Sequence, residues 1–204
     1  MTVRALPYGP TAVMFEVEST ERAAALAAEI RAMALPGVVE VVPAARTVLV
    51  DCTDAAVVRA VAGIGPTFDL DRAMPEHGAQ VELPTIYDGS DLAEVATYTG
   101  LSVAAVIDVH CAVEYRAAFC GFAPGFTYLT GLPAVLHMPR RAEPRPRVPA
   151  GSVAIAAEFT SVYPTASPGG WHLLGRTDEA MWEASRARPS LIVPGDRVRF
   201  VPVR

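Results

Sequence analysis

Three stretches of this 204-residue chain carry residues whose types and spacing could do chemistry. The first is an arginine group, Arg140, Arg141, Arg145 and Arg147, with prolines between them. Proline limits the backbone freedom that binding would cost, so the guanidinium groups are presented semi-rigidly. A guanidinium fork matches carboxylate or phosphate geometry, which makes Arg141 and Arg145 candidates for a ligand anion. Contact with a partner protein and a solvated basic surface are the competing uses. The second stretch is Phe119-Cys-Gly-Phe-Ala-Pro-Gly-Phe-Thr-Tyr128. Gly121 and Gly125 permit positive φ or close backbone approach, and Pro124 stiffens the turn between them. Phe122, Phe126 and Tyr128 are candidate pocket walls, although for each single aromatic a barrel core is the competing place. The third is Ser167-Pro-Gly-Gly-Trp171 with Arg176 downstream. Consecutive Gly169 and Gly170 expose amide donors suited to an oxyanion or carboxylate. Tyr163, Ser167 and Arg176 form its expected polar edge; a mere turn needs neither Trp171 nor Arg176.

No self-contained catalytic set accompanies them. There is no Walker-type phosphate loop, no G-x-S-x-G and no HExxH. His77, His110, His137 and His172 show no metal-ligand spacing, so no metal site is expected. Cys52, Cys111 and Cys120 stand alone among apolar neighbours and read as reduced, buried thiols. His110 adjoins Cys111, but adjacent residues on a helix point in different directions, so the pair makes no nucleophile and base. A formal net charge of −5 argues against a nucleic-acid sheath. Residues 92–110 imitate a helix-turn-helix, with Ala96 and Gly100 at the crossing. The second helix, however, offers no Lys or Arg and does offer Asp108, so it reads as packing on a sheet and not as a DNA reader. No apolar run approaches the roughly 20 residues of a membrane span, and the N-terminal residues lack a signal core. The expectation is a cytoplasmic protein.

The elements that must position these stretches fall into two parts. Residues 1–78 read as a small α+β domain: strand, strand, helix, strand, strand, helix. Ser19 or Thr20 caps the first helix, Glu21 suits its positive end, and Leu-Pro-Gly stops it after Ala34. Thr53 or Asp54 starts the second. Residues 68–79 read as linker. Residues 79–204 read as the second domain. It opens with a strand over 81–87, continues with two short helices over 91–97 and 102–110, and then runs in short strands. Those are expected over 116–121, 152–156, 160–163, 172–176 and 197–203, with Pro194-Gly-Asp as the last turn. Many short strands with Gly/Pro turns suggest a closed or nearly closed β-barrel.

The strings Gly121-Phe-Ala-Pro-Gly-Phe126, Pro139-Arg-Arg-Ala-Glu-Pro-Arg145, Val148-Pro-Ala-Gly-Ser-Val-Ala-Ile155 and Ser167-Pro-Gly-Gly-Trp-His-Leu-Leu-Gly-Arg-Thr177, in this order, resemble the family of the 5-oxoprolinase B component. The family is also called allophanate hydrolase subunit 1 and includes the kinase inhibitor KipI. The resemblance covers nearly the whole chain. It implies a cyclophilin-like barrel behind the small α+β domain. It further implies a non-autonomous part of an ATP-dependent amidohydrolase that opens a lactam. The implied partners are the 5-oxoprolinase C component, also called allophanate hydrolase subunit 2, and the A component. ATP is expected to lie mainly on a partner. In that setting Arg141, Arg145 and the Gly169 and Gly170 amides would orient a substrate carboxylate or a phosphorylated intermediate. Two alternatives travel with the resemblance: a KipI-like inhibitor of a histidine kinase, and half of a urea-carboxylase-like carboxyltransferase. The chain departs from the family where Phe159 replaces a usual Gln and Ser161 a usual Gly, and again over 181–188. Another lactam, amide or carboxylated nitrogen compound is therefore an open substrate.

Overall fold

The structure, a computed structural model, describes residues 3–64 and 78–203. The chain divides into two compact units, Met1–Pro75 and Glu76–Arg204. The expected linker lies outside the described residues except for Gly78 and Ala79.

The first unit contains β1 (Arg4–Pro7), β2 (Ala12–Glu16), α1 (Thr20–Ala32), β3 (Val38–Pro43), β4 (Thr47–Cys52) and α2 (Ala55–Ile64). Its four strands form an antiparallel sheet in the order β1-β2-β4-β3. Ser19 caps α1 by accepting from the Arg22 amide, and Asp54 opens α2 by accepting from Ala56 and Val57. Phe15, Leu26, Ile30, Val48 and Val50 close the core.

The second unit starts with β5 (Gln80–Thr85), α3 (Leu92–Thr99) and α4 (Val103–Cys111). Next come β6 (Tyr115–Cys120), β7 (Thr127–Thr130), β8 (Arg145–Val148), β9 (Ser152–Ala156) and β10 (Phe159–Val162). β11 (Ser167–Gly169), β12 (His172–Arg176) and β13 (Arg197–Pro202) complete it. Seven strands make one sheet in the order β12-β9-β10-β7-β6-β13-β5, with β8 and β11 paired separately. The two outer strands meet where Ile86 and Arg176 exchange backbone hydrogen bonds of 2.9 and 2.8 Å. The sheet is thus a nearly closed barrel. The closure requires glycine: a Cβ on Gly175 would sit 2.3 Å from the Ile86 carbonyl oxygen, and one on Gly89 2.2 Å from that of Leu173.

Leu83, Tyr115, Leu129, Ile155, Leu174 and Phe200 share one core; β5 and β7 alternate more and less buried positions, whereas β9 and β10 are buried along their whole length. Gly100 ends α3 in the left-handed conformation, and the Ser102 hydroxyl caps α4. The two helices bend 91° apart and pack on β12 and β13. Among the described residues no single helix is long and apolar enough to cross a membrane.

The structure corrects three expectations. The proline-framed arginine segment contains a strand, β8, and not only a loop. Strand β11 lies in the Ser-Pro-Gly-Gly turn, and β7 is a strand that the sequence reading does not include. Cys120 is exposed, while Cys52 is buried and Cys111 half-buried; all three are free. Burial raises the thiol pKa of Cys111, which does not suit a nucleophile.

His110 is fully buried and is part of the packing. The Thr160 hydroxyl donates to the Ala154 carbonyl at 3.1 Å, so it accepts from His110 Nε2 at 3.0 Å. His110 Nδ1 is then the acceptor for the Tyr87 hydroxyl at 2.8 Å. Burial pushes the His110 pKa down from 6.5 to about 3. A histidine kept neutral stabilises the fold above its unfolded pKa, and that contribution drains away as pH falls toward the folded value. The second unit is expected to lose roughly 2–3 kcal/mol between pH 7 and 4.5 through this group. Urea titrations at the two pH values check it. His110→Gln should flatten the dependence, and an unchanged slope would contradict the assignment.

Candidate functional site

A buried carboxylate organises the second unit's motifs. Asp91 precedes α3 and is 3% exposed. Its Oδ1 accepts from Arg145 at 2.5 Å and Arg141 at 3.3 Å, and its Oδ2 from the Leu173 amide at 2.7 Å. Arg141 also donates to Glu94 at 2.7 Å, and Arg145 to the Ser90 hydroxyl at 3.3 Å. Backbone pairing completes the arrangement. Gly169 lies opposite Arg145 and Ser167 opposite Val148, while the Arg141 amide donates to the Gly170 carbonyl at 2.8 Å. The arginine segment and the Ser-Pro-Gly-Gly-Trp turn are therefore two sides of one small structure fastened to the start of α3.

Behind the turn stands an aromatic cluster. Trp171 meets Phe126 edge-on at 5.4 Å and Tyr128 at 5.6 Å. Phe126 meets Tyr163 at 5.3 Å, and Phe119 stacks on Tyr128 at 4.3 Å. Phe159, where the family usually has Gln, packs against Phe119 and Tyr128. Gly169 is required here, because a Cβ on it would lie 2.3 Å from the Tyr163 hydroxyl. Burial raises the Tyr163 pKa, while the Trp171 backbone and the charges of Arg140 and Arg145 pull the other way. The phenol stays protonated at neutral pH.

Each residue singled out from the sequence has a definite place. Phe126, Tyr163 and Trp171 are buried walls, Tyr128 is partly covered, and Phe122 and Pro124 are exposed on their turn. Gly169, Gly170 and Ser167 line the turn opposite the arginines. Arg176 stands apart from the arginine cluster, pairing with Asp88 and Asp178 at an exposed position beside the seam. Arg141 and Arg145 are not free cations: their charges are matched by Asp91 and Glu94. Sequence reading missed Asp91, Glu94 and His172. His172 is 3% exposed and adjoins Trp171, which was its only signal. Its Nε2 donates to the Pro139 carbonyl at 3.0 Å, and its Nδ1 lies 3.7 Å from Glu94.

Buried polar atoms without a hydrogen-bond partner gather here. They are Arg141 Nε, Arg145 Nη1, Ser167 Oγ and His172 Nδ1. Unpaired buried polar atoms cost about 1–3 kcal/mol each, so this cluster favours a polar guest. Among the described residues no group of three His, Cys, Asp or Glu is arranged to hold a metal ion. What the arrangement offers is a stiff, aromatic-backed surface with matched internal charges.

Comparison with known proteins agrees with the architecture. Residues 3–192 match the family described as carboxyltransferase domain, subdomain C and D. A protein from Escherichia coli O157:H7, named as the B component of 5-oxoprolinase, is 42% identical over 205 residues, covering 95% of this chain and 93% of that protein. The crystal structure of TTHA0988 superposes with a TM-score of 0.76 at 35% identity, over 95% of this chain but 39% of that one, so this chain spans less than half of its length. The urea carboxylase of Kluyveromyces lactis superposes with a TM-score of 0.71 over 99% of this chain and 22% of that one; at 16% identity the likeness is one of fold. The chain belongs to the carboxyltransferase-domain family of subdomains C and D, in the group whose bacterial relatives are named as the B component of 5-oxoprolinase.

Proposed function

We propose that this chain is the binding component of a cytoplasmic, ATP-dependent amidohydrolase that opens a small cyclic amide, and that it works with homologues of the C and A components of 5-oxoprolinase. The observation that carries the reading is the Ser-Pro-Gly-Gly-Trp turn, clamped through Arg145 to buried Asp91 and backed by Phe126 and Tyr128. It occurs in a chain 42% identical along 95% of its length to a protein named as the B component of 5-oxoprolinase. Such a surface can fix a substrate's orientation, which by itself removes much of the entropic barrier to reaction.

A lactam is a poor electrophile, and phosphorylating its oxygen makes it one that water can attack; ATP supplies that chemistry. Arg141 and Arg145 do not suit a triphosphate. The sequence has no phosphate loop, and Arg141 and Arg145 are neutralised by their own carboxylates. The phosphoryl machinery is assigned to a partner, and this chain's part is to bind and orient.

The purified chain alone is expected to show no ATP-dependent opening of 5-oxoproline, and the co-expressed complex with both partners to show it. Turnover by the isolated chain, or a complete complex that hydrolyses no lactam, would overturn the reading.

A further inference from the structure

One of the unpaired buried polar atoms has a definite neighbour. His172 Nδ1 has no hydrogen-bond partner, although its side chain is only 4% exposed. The other ring nitrogen is committed: the Pro139 carbonyl can only accept, so Nε2 carries a hydrogen. A neutral ring then presents a lone pair at Nδ1. Glu94 Oε1, also an acceptor, lies 3.7 Å from it. That distance is beyond a direct hydrogen bond. Two acceptors held this close suit a donor with two hydrogens, and a water molecule has one for each.

The surroundings fix the carboxylate. Arg141 Nη1 donates to Glu94 Oε2 at 2.7 Å and to Asp91 Oδ1 at 3.3 Å, so one oxygen of Glu94 is held and the other is left toward the imidazole. Asp91 is tied in turn to the amide of Leu173, the residue after His172. Glu94 on α3 and His172 on β12 are therefore set by one clamp. They differ in access. The Glu94 side chain is 54% exposed, so a solvent molecule reaches the pair from the carboxylate side, with the buried ring behind it. The pair also adjoins the Ser-Pro-Gly-Gly-Trp turn: His172 follows Trp171, and the Gly170 carbonyl accepts from the Arg141 amide.

We propose that Glu94 and His172 hold the water that attacks the amide, and that His172 Nδ1 receives its proton. The proposal rests on the reading above and adds to it the group that activates water. One water hydrogen passes to Nδ1 as the water oxygen bonds to the amide carbon, and the carbonyl electron pair moves to oxygen. Glu94 balances the charge of the imidazolium. The pair on oxygen then returns, the carbon–nitrogen bond breaks with its electrons on nitrogen, and nitrogen takes the proton from Nδ1. Amide and water become a carboxylic acid and an amine. A fixed lone pair backed by a carboxylate is what general base catalysis requires.

The test has two arms. A high-resolution crystal structure of the chain should show an ordered water within hydrogen-bond distance of both Nδ1 and Oε1. In the complete complex, His172→Gln should lower kcat about a hundredfold or more and leave KM nearly unchanged. Glu94→Gln should lower kcat at least about tenfold. The double variant should be no slower than His172→Gln alone, because the two act on one water. Glu94→Ala should regain part of its turnover when formate is added, which a purely structural carboxylate would not show. His172 is buried, so thermal melts identify a variant that fails to fold; Glu94 is half exposed, and its variants should melt close to the parent.

Full turnover in Glu94→Gln, effects of the two residues that simply multiply, or no gain from formate in Glu94→Ala would overturn the proposal. A water that is present while both variants keep full kcat would be structural only and would overturn it too, as would a site that holds no water. The outcomes separate from those of the functional reading. If the complex hydrolyses 5-oxoproline undisturbed by these substitutions, the base assignment is wrong and the amidohydrolase reading stands. If the complete parent complex hydrolyses no lactam, that reading falls and takes the base assignment with it.

Discussion

Asp91→Asn should lower the stability of the second unit by about 3–5 kcal/mol. The carboxylate is buried, and three donors converge on it: Arg145, Arg141 and the Leu173 amide. Asparagine keeps the shape but cannot neutralise two guanidinium groups. It would also turn an NH2 toward one of the donors, so at least one contact becomes repulsive. The two arginine side chains are 24% and 27% exposed, which lets solvent absorb part of the loss and argues for the lower half of the range. Both tryptophans lie in the second unit, so their fluorescence during urea unfolding reports on that unit. Asp88→Asn is the matched control. Its partner Arg176 and Asp88 itself are each 49% exposed, so the change should cost less than about 1 kcal/mol. A loss below about 1 kcal/mol at Asp91 would mean that desolvation of the three charges cancels their attraction. Arg145→Lys bears on the same point: Nη2 of this arginine donates to both Asp91 and Ser90, and early melting of the variant would mark the residue as structural.

Trp171→Ala should cost about 3–5 kcal/mol. The indole is 4% exposed and is the meeting point of two edge-on ring contacts, to Phe126 and Tyr128. Truncation leaves a void between the turn and the barrel wall, and the surrounding rings are held by each other, so the void cannot collapse. Circular dichroism melts are the right readout because the substitution removes a fluorophore. Trp171→Phe should recover more than half of the loss. Trp182, at 42% exposed, provides the contrast: its replacement by Ala should cost less than about 1 kcal/mol. Equal losses at the two tryptophans would show that Trp171 is not the keystone of the cluster.

Local signals carried much of this fold. Ser19, Gly100 and Ser102 mark helix ends in the sequence and cap or end helices in the structure, because capping is chemistry between near neighbours. Strands β9 and β12 were legible from their apolar residues and flanking glycines. Strands β8 and β11 were not. Their prolines and glycines read as turns, and what makes them strands is pairing with each other across the chain. The site was legible as a set of motifs but not as a division of labour. Asp91 looks like a helix start, and its partners lie 50, 54 and 82 residues away. Nothing local says that Arg141 faces a carboxylate and Arg140 does not; that follows only from the pairing of residue 141 with Gly170.

The sheet order has a consequence for how the protein is made. β5 opens the second unit, yet its one neighbour in the sheet is β13, with which it runs parallel, and β13 in turn lies between β5 and β6. The Ala79 amide meets the Asp196 carboxylate across 117 residues. A ribosome emits β5 long before β13, so the nascent strand must wait with its apolar face unpaired while more than a hundred residues follow. Closing so long a loop is entropically slow, and that interval is when the growing chain is most exposed to misassociation. The first unit carries no such delay: its sheet pairs strands within the first 52 residues and can form as soon as they emerge. Synthesis should therefore proceed with a finished leading unit and an open trailing one, and the length of that wait is set by where evolution put β13, not by any single contact.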